Sequence, residues 1–384
     1  MLVSHIALKN WRNFPSAEVS LGERAFLVGP NACGKSNFLD VFRFLRDIVK
    51  AGGGLQKSLQ DRGGLSKVRC LAARKDPDVA IAVSLLESEK DGIAPTWKYE
   101  IGIKQDRRGL QQPYLSYERV WKNNVLLLDR PNEDDKKDRL RLSQTHLEQI
   151  NANEKFRDIA NFFKSALYLH LVPQLLRYPT AFLGTAMPED PFGRNFLERI
   201  ATTPERTRRA RLKKIEKALQ KLVPQFKELL DTKDDHGIPH LEAVYEHWRA
   251  RGARQREDQF SDGTLRLIGL FWSLLEGKFL LLLEEPELSL HTSIVKKLAS
   301  ILQRLQSPEK RQVILSTHST DLLSDKGIGG EEVLLLKPTK EGTQIHKMSD
   351  IEEARVLLEG GSSIADIILP YTEPPSIDQM EFFK

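Results

Sequence analysis

The nine residues GPNACGKSN, from Gly29 to Asn37, limit what this chain can fold into more than any other feature it carries. They fit G-x-x-x-x-G-K-[ST] without a mismatch, with Gly29, Gly34, Lys35 and Ser36 at the fixed positions. Ala25 to Val28 is a short apolar run that predicts a buried strand, and the stretch after the loop carries Phe38, Val41, Phe42, Leu45 and Ile48 at helical spacing. Strand, glycine loop and helix together predict a nest of backbone N–H groups around a β-phosphate, with the positive end of the helix aimed at the same charge. Gly29, Pro30, Asn31, Ala32, Cys33, Gly34, Lys35, Ser36 and Asn37 are therefore the candidate nucleotide-binding residues. In this pattern the Lys35 ammonium reaches the β- and γ-phosphates and the Ser36 hydroxyl ligates Mg2+.

A chain of 384 residues has room for one large core carrying an insertion. No run approaches the ~18 apolar residues of a membrane-spanning helix, and the N-terminus MLVSHIALKNW lacks the apolar stretch of a secretory segment. Cys33 and Cys70 are the only cysteines, which leaves no disulfide framework or metal-ligand spacing and fits a cytoplasmic protein. Cys33 reads as a small filler within the loop.

The net charge of +5 is concentrated in one place. Thr203 to Lys221 holds eight basic side chains against Glu205 and Glu216, so the remainder is close to neutral. On a helix, Leu212, Ile215, Leu219 and Leu222 form a buried stripe, with Arg206, Arg209, Lys213 and Lys217 along another face. That face is either a solvated one or a surface for a phosphate backbone or an acidic partner.

Three segments are expected: 1–140, with the loop and a β-meander; 141–250, a helical insertion; and 251–384, rich again in chemistry. The meander rests on Val79, Ile81, Val83 and Leu85, then Trp97, Tyr99, Ile101 and Ile103, in strict alternation. Arg130 to Arg139, with almost nothing apolar to bury, reads as an exposed turn or loop. In the final segment Phe279 to Leu283 is an unbroken apolar strand, as in a parallel sheet covered on both faces. It delivers Glu284 and Glu285 to the strand's carboxyl end, where ligands bind in open α/β sheets. Adjacent strand residues project to opposite sides, so one carboxylate would serve Mg2+ and the other the attacking water. Val313 to Leu315 is a second buried strand, leading through Ser316 and Thr317 to His318, placed either to hydrogen-bond a γ-phosphate or as a satisfied structural residue.

In order, NWRNF, GPNACGKSN, FSDGTLR, LLLLEEPELSLH and LSTHS resemble the ATP-binding-cassette type ATPases of the RecF, structural-maintenance-of-chromosomes (SMC) and overcoming-lysogenization-defect (OLD) group, often described as AAA-family ATPases. The motifs cover the first 40 residues or so and residues 257–322. The resemblance implies an α/β P-loop NTPase of ABC type: a mainly parallel sheet, an antiparallel β lobe and a helical insertion. It also implies ATP and Mg2+ as cofactors. Position by position, Glu284 is the Walker B acid and a metal-site residue with Ser36, Glu285 is the catalytic base, and His318 is the switch histidine. Ser261 and Gly263 are signature residues touching the γ-phosphate held by a second copy, Leu288 to His291 the D-loop, and Arg12 a residue beside the nucleotide. Gln56 and Gln60 are both in range for the glutamine loop.

Two positions depart from the pattern. Walker B is more often Asp, and Glu284 is one methylene longer, enough to act on Mg2+ through a water. Asp262 replaces the first glycine of the transporter signature and places a carboxylate at a helix end suited to anions.

The expectation is a soluble ATP hydrolase that closes as a head-to-tail homodimer around ATP, in DNA maintenance or anti-phage defence. Partners would be DNA or a separate nuclease or effector protein, since little chain follows His318 to hold a toprim nuclease domain. The alternative is the ATP-binding subunit of a membrane transporter, for which LSGGQ would be expected in place of FSDGT.

Overall fold

Apolar residues that alternate in some strands and run unbroken in others build two large sheets here. In the computed structural model, residues 1–73, 76–87, 95–106, 112–178, 190–248, 253–277, 280–306 and 311–372 are described. Phe279, expected to open the strand before Glu284, lies outside these residues. The strands are β1 (Leu2–Trp11), β2 (Phe14–Ser20), β3 (Arg24–Val28), β4 (Val79–Leu86), β5 (Trp97–Gln105), β6 (Pro113–Lys122) and β7 (Val125–Arg130). They continue with β8 (Leu167–Leu169), β9 (Phe226–Lys233), β10 (Pro239–Tyr245), β11 (Ala253–Arg256), β12 (Leu281–Glu284), β13 (Val313–Thr317), β14 (Val333–Thr339) and β15 (Gly342–Lys347).

One sheet is antiparallel, in the order β2-β1-β4-β5-β6-β7, and all eight alternating residues of β4 and β5 named above are buried in it. The second runs β15-β14-β3-β13-β12-β8. It is parallel from β14 through β8, with β15 antiparallel at its edge. A small antiparallel sheet, β11-β10-β9, completes the set.

The parallel sheet is covered on both faces, and successive residues of its strands feed different cores. Ala25, Leu27, Leu282 and Ile314 join the core shared with the antiparallel sheet and the loop helix, Lys35–Val49. Phe26, Val28, Leu281, Leu283, Val313 and Leu315 face the other core, with the basic helix, Glu205–Leu222, and the signature helix, Asp262–Leu275. Each Val, Leu, Ile or Phe among them contributes roughly 1.5–3 kcal/mol by leaving water. The signature helix is apolar nearly all round, as a helix packed on every side must be.

Two segments differ from the sequence reading. Within 141–250, helices Arg157–Lys164, Phe196–Thr202 and Glu205–Leu222 are accompanied by β8, β9 and β10. β8 is only three residues long, too short for alternation to reveal, yet it pairs with β12 in the parallel sheet. Arg130 to Arg139 is not simply an exposed loop. The Arg130 guanidinium is fully buried between Glu118, at 3.0 Å, and Asp135, at 2.8 Å, while Glu133–Lys137 forms a capped helical turn. Arg130 also donates to the carbonyls of Gln144 and Arg141, so its charge is matched by partners that a local reading of the sequence cannot see.

Candidate active site

Neighbouring parallel strands end at the same edge, and here the register aligns them closely. Val28 pairs with Thr317, and Ser316 with Glu284. The turns after β3, β12 and β13 thus leave the sheet side by side, at its carboxyl edge.

The glycine loop is shaped by close contacts. A Cβ on Gly29 would stand 2.5 Å from the Leu336 carbonyl oxygen and 2.7 Å from the Cys33 sulfur. Gly34 has φ +103°, and a Cβ there would meet the Asn13 amide at 2.1 Å. Only glycine fits either position. Cys33 is fully buried beneath the loop, as its filler role requires. Asn13 holds the loop from outside: its Nδ2 donates to the Cys33 carbonyl and to Thr343 Oγ1, both at 2.7 Å, and its Oδ1 accepts from Asn37 at 2.8 Å. The Thr343 hydroxyl donates to the same Cys33 carbonyl at 2.7 Å, and the Trp11 indole to the Asn37 carbonyl at 2.9 Å. Sequence reasoning did not assign Asn13 or Thr343, although Asn13 lies inside NWRNF.

The charged groups form a connected set. The Lys35 ammonium donates to the Gly29 and Pro30 carbonyls at 2.9 and 3.0 Å and lies 3.5 Å from His318 Nδ1. His318 Nε2 is 3.3 Å from Glu285 Oε1. The Ser36 hydroxyl donates to one oxygen of Glu284, and the hydroxyl of Tyr168, on β8, donates to the other. Burial holds the Lys35 ammonium below the usual lysine range. Burial, then Lys35, depresses His318 below the ordinary imidazole value against the pull of Glu285. Burial and the Glu284 carboxylate push the Tyr168 hydroxyl well above the tyrosine range.

Glu284 and Glu285 do not diverge as strand neighbours would. Glu285 has φ +45°, which ends the strand and turns its side chain to His318, so both carboxylates serve one site. The following turn is pinned by buried Glu287, which accepts from the Thr317 hydroxyl at 2.5 Å and the His318 N–H at 3.4 Å. Arg266 of the signature helix donates to the Glu285 carbonyl at 3.3 Å.

Ser261 caps the signature helix, its hydroxyl accepting from the Thr264 N–H at 3.1 Å, and it is exposed. A Cβ on Gly263 would lie 2.8 Å from the Ser289 carbonyl, so this glycine lets helix and D-loop segment touch. Among the described residues, no hydrogen bond or ion pair of Ser261, Asp262 or Gly263 reaches the loop of the same chain. The Asp262 carboxylate is matched by Arg177 at 2.7 Å, which offsets its charge at the helix end. Arg12 pairs with Asp40 of the loop helix at 3.1 Å and lines a cleft of about 600 Å3 with Ser36 and Asn37. The Gln56 amide is occupied by the Pro113 and Ser143 carbonyls.

The donors fit Mg2+: a hydroxyl and a carboxylate already in contact are hard oxygen ligands. Among the described residues no group of three or more His, Cys, Asp or Glu is placed to hold a metal alone. Magnesium needs none, because phosphate and water complete its shell. No helix among these residues is long and apolar enough to cross a membrane.

No curated protein sequence matches the chain. Among solved structures it is similar to the SMC head bound to the C-winged helix domain of ScpA, at TM-score 0.57 and 14% identity, over 90% of this chain and 98% of that one. It is also similar to the Smc head domain with an extended coiled coil bound to the C-terminal domain of ScpA, derived from Pyrococcus furiosus, at TM-score 0.51 and 12% identity, over 94% and 100%. The likeness is one of fold, an ABC-type P-loop ATPase core. Residues 24–325, most of the chain, match the family described as "AAA domain, putative AbiEii toxin, Type IV TA system", and the chain belongs to that AAA-domain family.

Proposed function

We propose that the protein is a cytoplasmic Mg-ATP hydrolase of the RecF, SMC and OLD type, closed around its nucleotide by a second copy, and that it acts through a separate effector in DNA maintenance or anti-phage defence. The observation carrying this reading is the contact of Ser36 with Glu284, with Lys35, His318 and Glu285 linked in sequence beside it. Bound there, Mg2+ would supply positive charge to offset that of the phosphates. Ser36 and Glu284 would hold it, and the Lys35 ammonium would exchange the Gly29 and Pro30 carbonyls for phosphate. Glu285 would orient and polarise the attacking water, steadied by His318. Arg12 would border the nucleotide from the cleft. Catalysis is then positioning and electrostatics, with no covalent step on the protein.

Ser261, exposed at the capped end of a rigid buried helix, is the group a partner's γ-phosphate would meet. Shifting a dimer from about 1:99 to 99:1 takes about 5.5 kcal/mol. A few charge-assisted hydrogen bonds of roughly 1.5–3 kcal/mol each supply that.

Glu285→Gln keeps the shape but removes the charge that polarises water, so hydrolysis stops while binding persists and the closed dimer accumulates. Adding Ser261→Arg blocks the partner's phosphate and leaves each loop intact. Light scattering with Mg-ATP then reads dimer for the single variant and monomer for the double, with nucleotide bound in both. One oligomeric state for all proteins, with and without ATP, would overturn the switch.

A further inference from the structure

Tyr168 and Glu284 stand on adjacent parallel strands. β8 and β12 pair Tyr168 with Leu282, and two residues along the strand Glu284 projects from the same face. The loop helix covers that face and carries Ser36 and Arg43, seven residues apart, on one side. A chain of contacts results. The Arg43 guanidinium lies over the Tyr168 ring at 4.2 Å from its centroid, the Tyr168 hydroxyl holds one oxygen of Glu284, and the Ser36 hydroxyl meets the other. Tyr168 is 6% exposed, so the ring is held in place by its packing.

A glutamate has one more rotatable bond than an aspartate, and a carboxylate left free on the longer arm spreads over several rotamers. We propose that Tyr168 is a positioning residue for the metal site: by fixing one oxygen of Glu284 it presents the other to the Ser36 side, where Mg2+ binds. The proposal rests on the phosphate-loop reading of this site. It accounts for a glutamate working at a position where a shorter acid would not need a second-strand partner. Removing a hydrogen bond to a metal-ligating group typically weakens metal binding by about 10–100-fold.

Tyr168→Phe deletes the hydroxyl and keeps the ring, its packing and the Arg43 contact. Binding of a fluorescent ATP analogue is titrated against Mg2+, and separately in EDTA. The expected result is about tenfold more Mg2+ for half-maximal binding, with affinity in EDTA and melting temperature unchanged. In a Glu284→Asp background, where the carboxylate no longer reaches the tyrosine, adding Tyr168→Phe should leave the Mg2+ requirement where it was. An unchanged Mg2+ requirement in Tyr168→Phe alone overturns the proposal, as does an equal loss of affinity in EDTA, which would mark a general distortion of the pocket. A wild-type protein whose nucleotide binding is indifferent to Mg2+ overturns the phosphate-loop reading along with it.

Discussion

His146 lies where a proton is unwelcome. Burial first, and the Arg130 cation second, push its imidazole down to about 4, with Asp135 pulling the other way and Arg141 adding to the repulsion. The unfolded chain takes up a proton near pH 6.5, whereas the native one resists until about 4. The contribution to stability is therefore complete above pH 6.5 and falls as pH drops through that window, by less than the bare shift implies because the half-exposed ring is screened by solvent. His146→Gln should remove this slope. Urea denaturation at pH 7.5 and 5.0 checks it, as wild type should lose more stability than the variant. Other single residues differ in how visible they were. Gly29, Gly34, Lys35 and Ser36 were legible as a motif because their spacing along the chain is set by the loop pattern itself. Asn13, Thr343 and Tyr168 were not, since each acts on a partner 20 or more residues away. Glu285 follows the apolar strand as the sequence indicates, but its approach to His318 accompanies a positive φ that strand alternation does not foresee.

At the scale of elements, the basic helix shows what structure adds to composition. Its buried stripe of Leu212, Ile215 and Leu219 was readable from spacing alone. Of the cations singled out by sequence, Arg209 is paired with Glu205 and Lys213 with Glu216, each at 2.5 Å. Arg206, Lys214, Lys217 and Lys221 make no ion pair among the described residues. Spaced by eight, three and four residues, these four lie along one side of the helix over roughly 22 Å at 1.5 Å per residue. If they track a phosphate backbone, replacing all four with alanine should flatten the dependence of log affinity on log salt by about 0.9 for each phosphate no longer neutralised. Fluorescence anisotropy with duplex DNA from 50 to 200 mM salt, on the order of the range where such effects are large, makes the measurement. No binding at the low-salt end would leave the helix a solvated face. The strand β8 illustrates the opposite case: three residues carry no period, and only the neighbouring β12 makes them a strand.

On the scale of the whole molecule, the glycine loop and the acidic strand exit were enough to specify a parallel α/β core, because the flanking apolar runs admit few other uses. The β-meander was legible for another reason, the strict alternation of its apolar residues. Burial of the Leu281–Leu283 run on both faces was expected as well, but which residue of β3, β12 and β13 faces which core was not legible, since an unbroken apolar run looks alike on either face. Binding to the native state alone stabilises it by about 2.7 kcal/mol at a hundredfold excess over Kd. Mg-ATP should therefore raise the melting temperature of the wild type by several degrees. Lys35→Ala should abolish that rise while melting near the wild-type temperature without nucleotide, and differential scanning fluorimetry reads both.

The clamp on the glycine loop has a consequence for a chain still on the ribosome. The loop sequence emerges early, yet β3 lies between β13 and β14, and the loop's Cys33 carbonyl is held by Thr343 as well as Asn13. Gln312 likewise exchanges hydrogen bonds with Val3, tying the first strand to the last third. A nascent fragment carrying the complete GPNACGKSN motif has neither neighbour of β3 and only half of the clamp. The loop therefore reaches the conformation described here only after more than three hundred further residues have been translated, when β14 and Thr343 are in place.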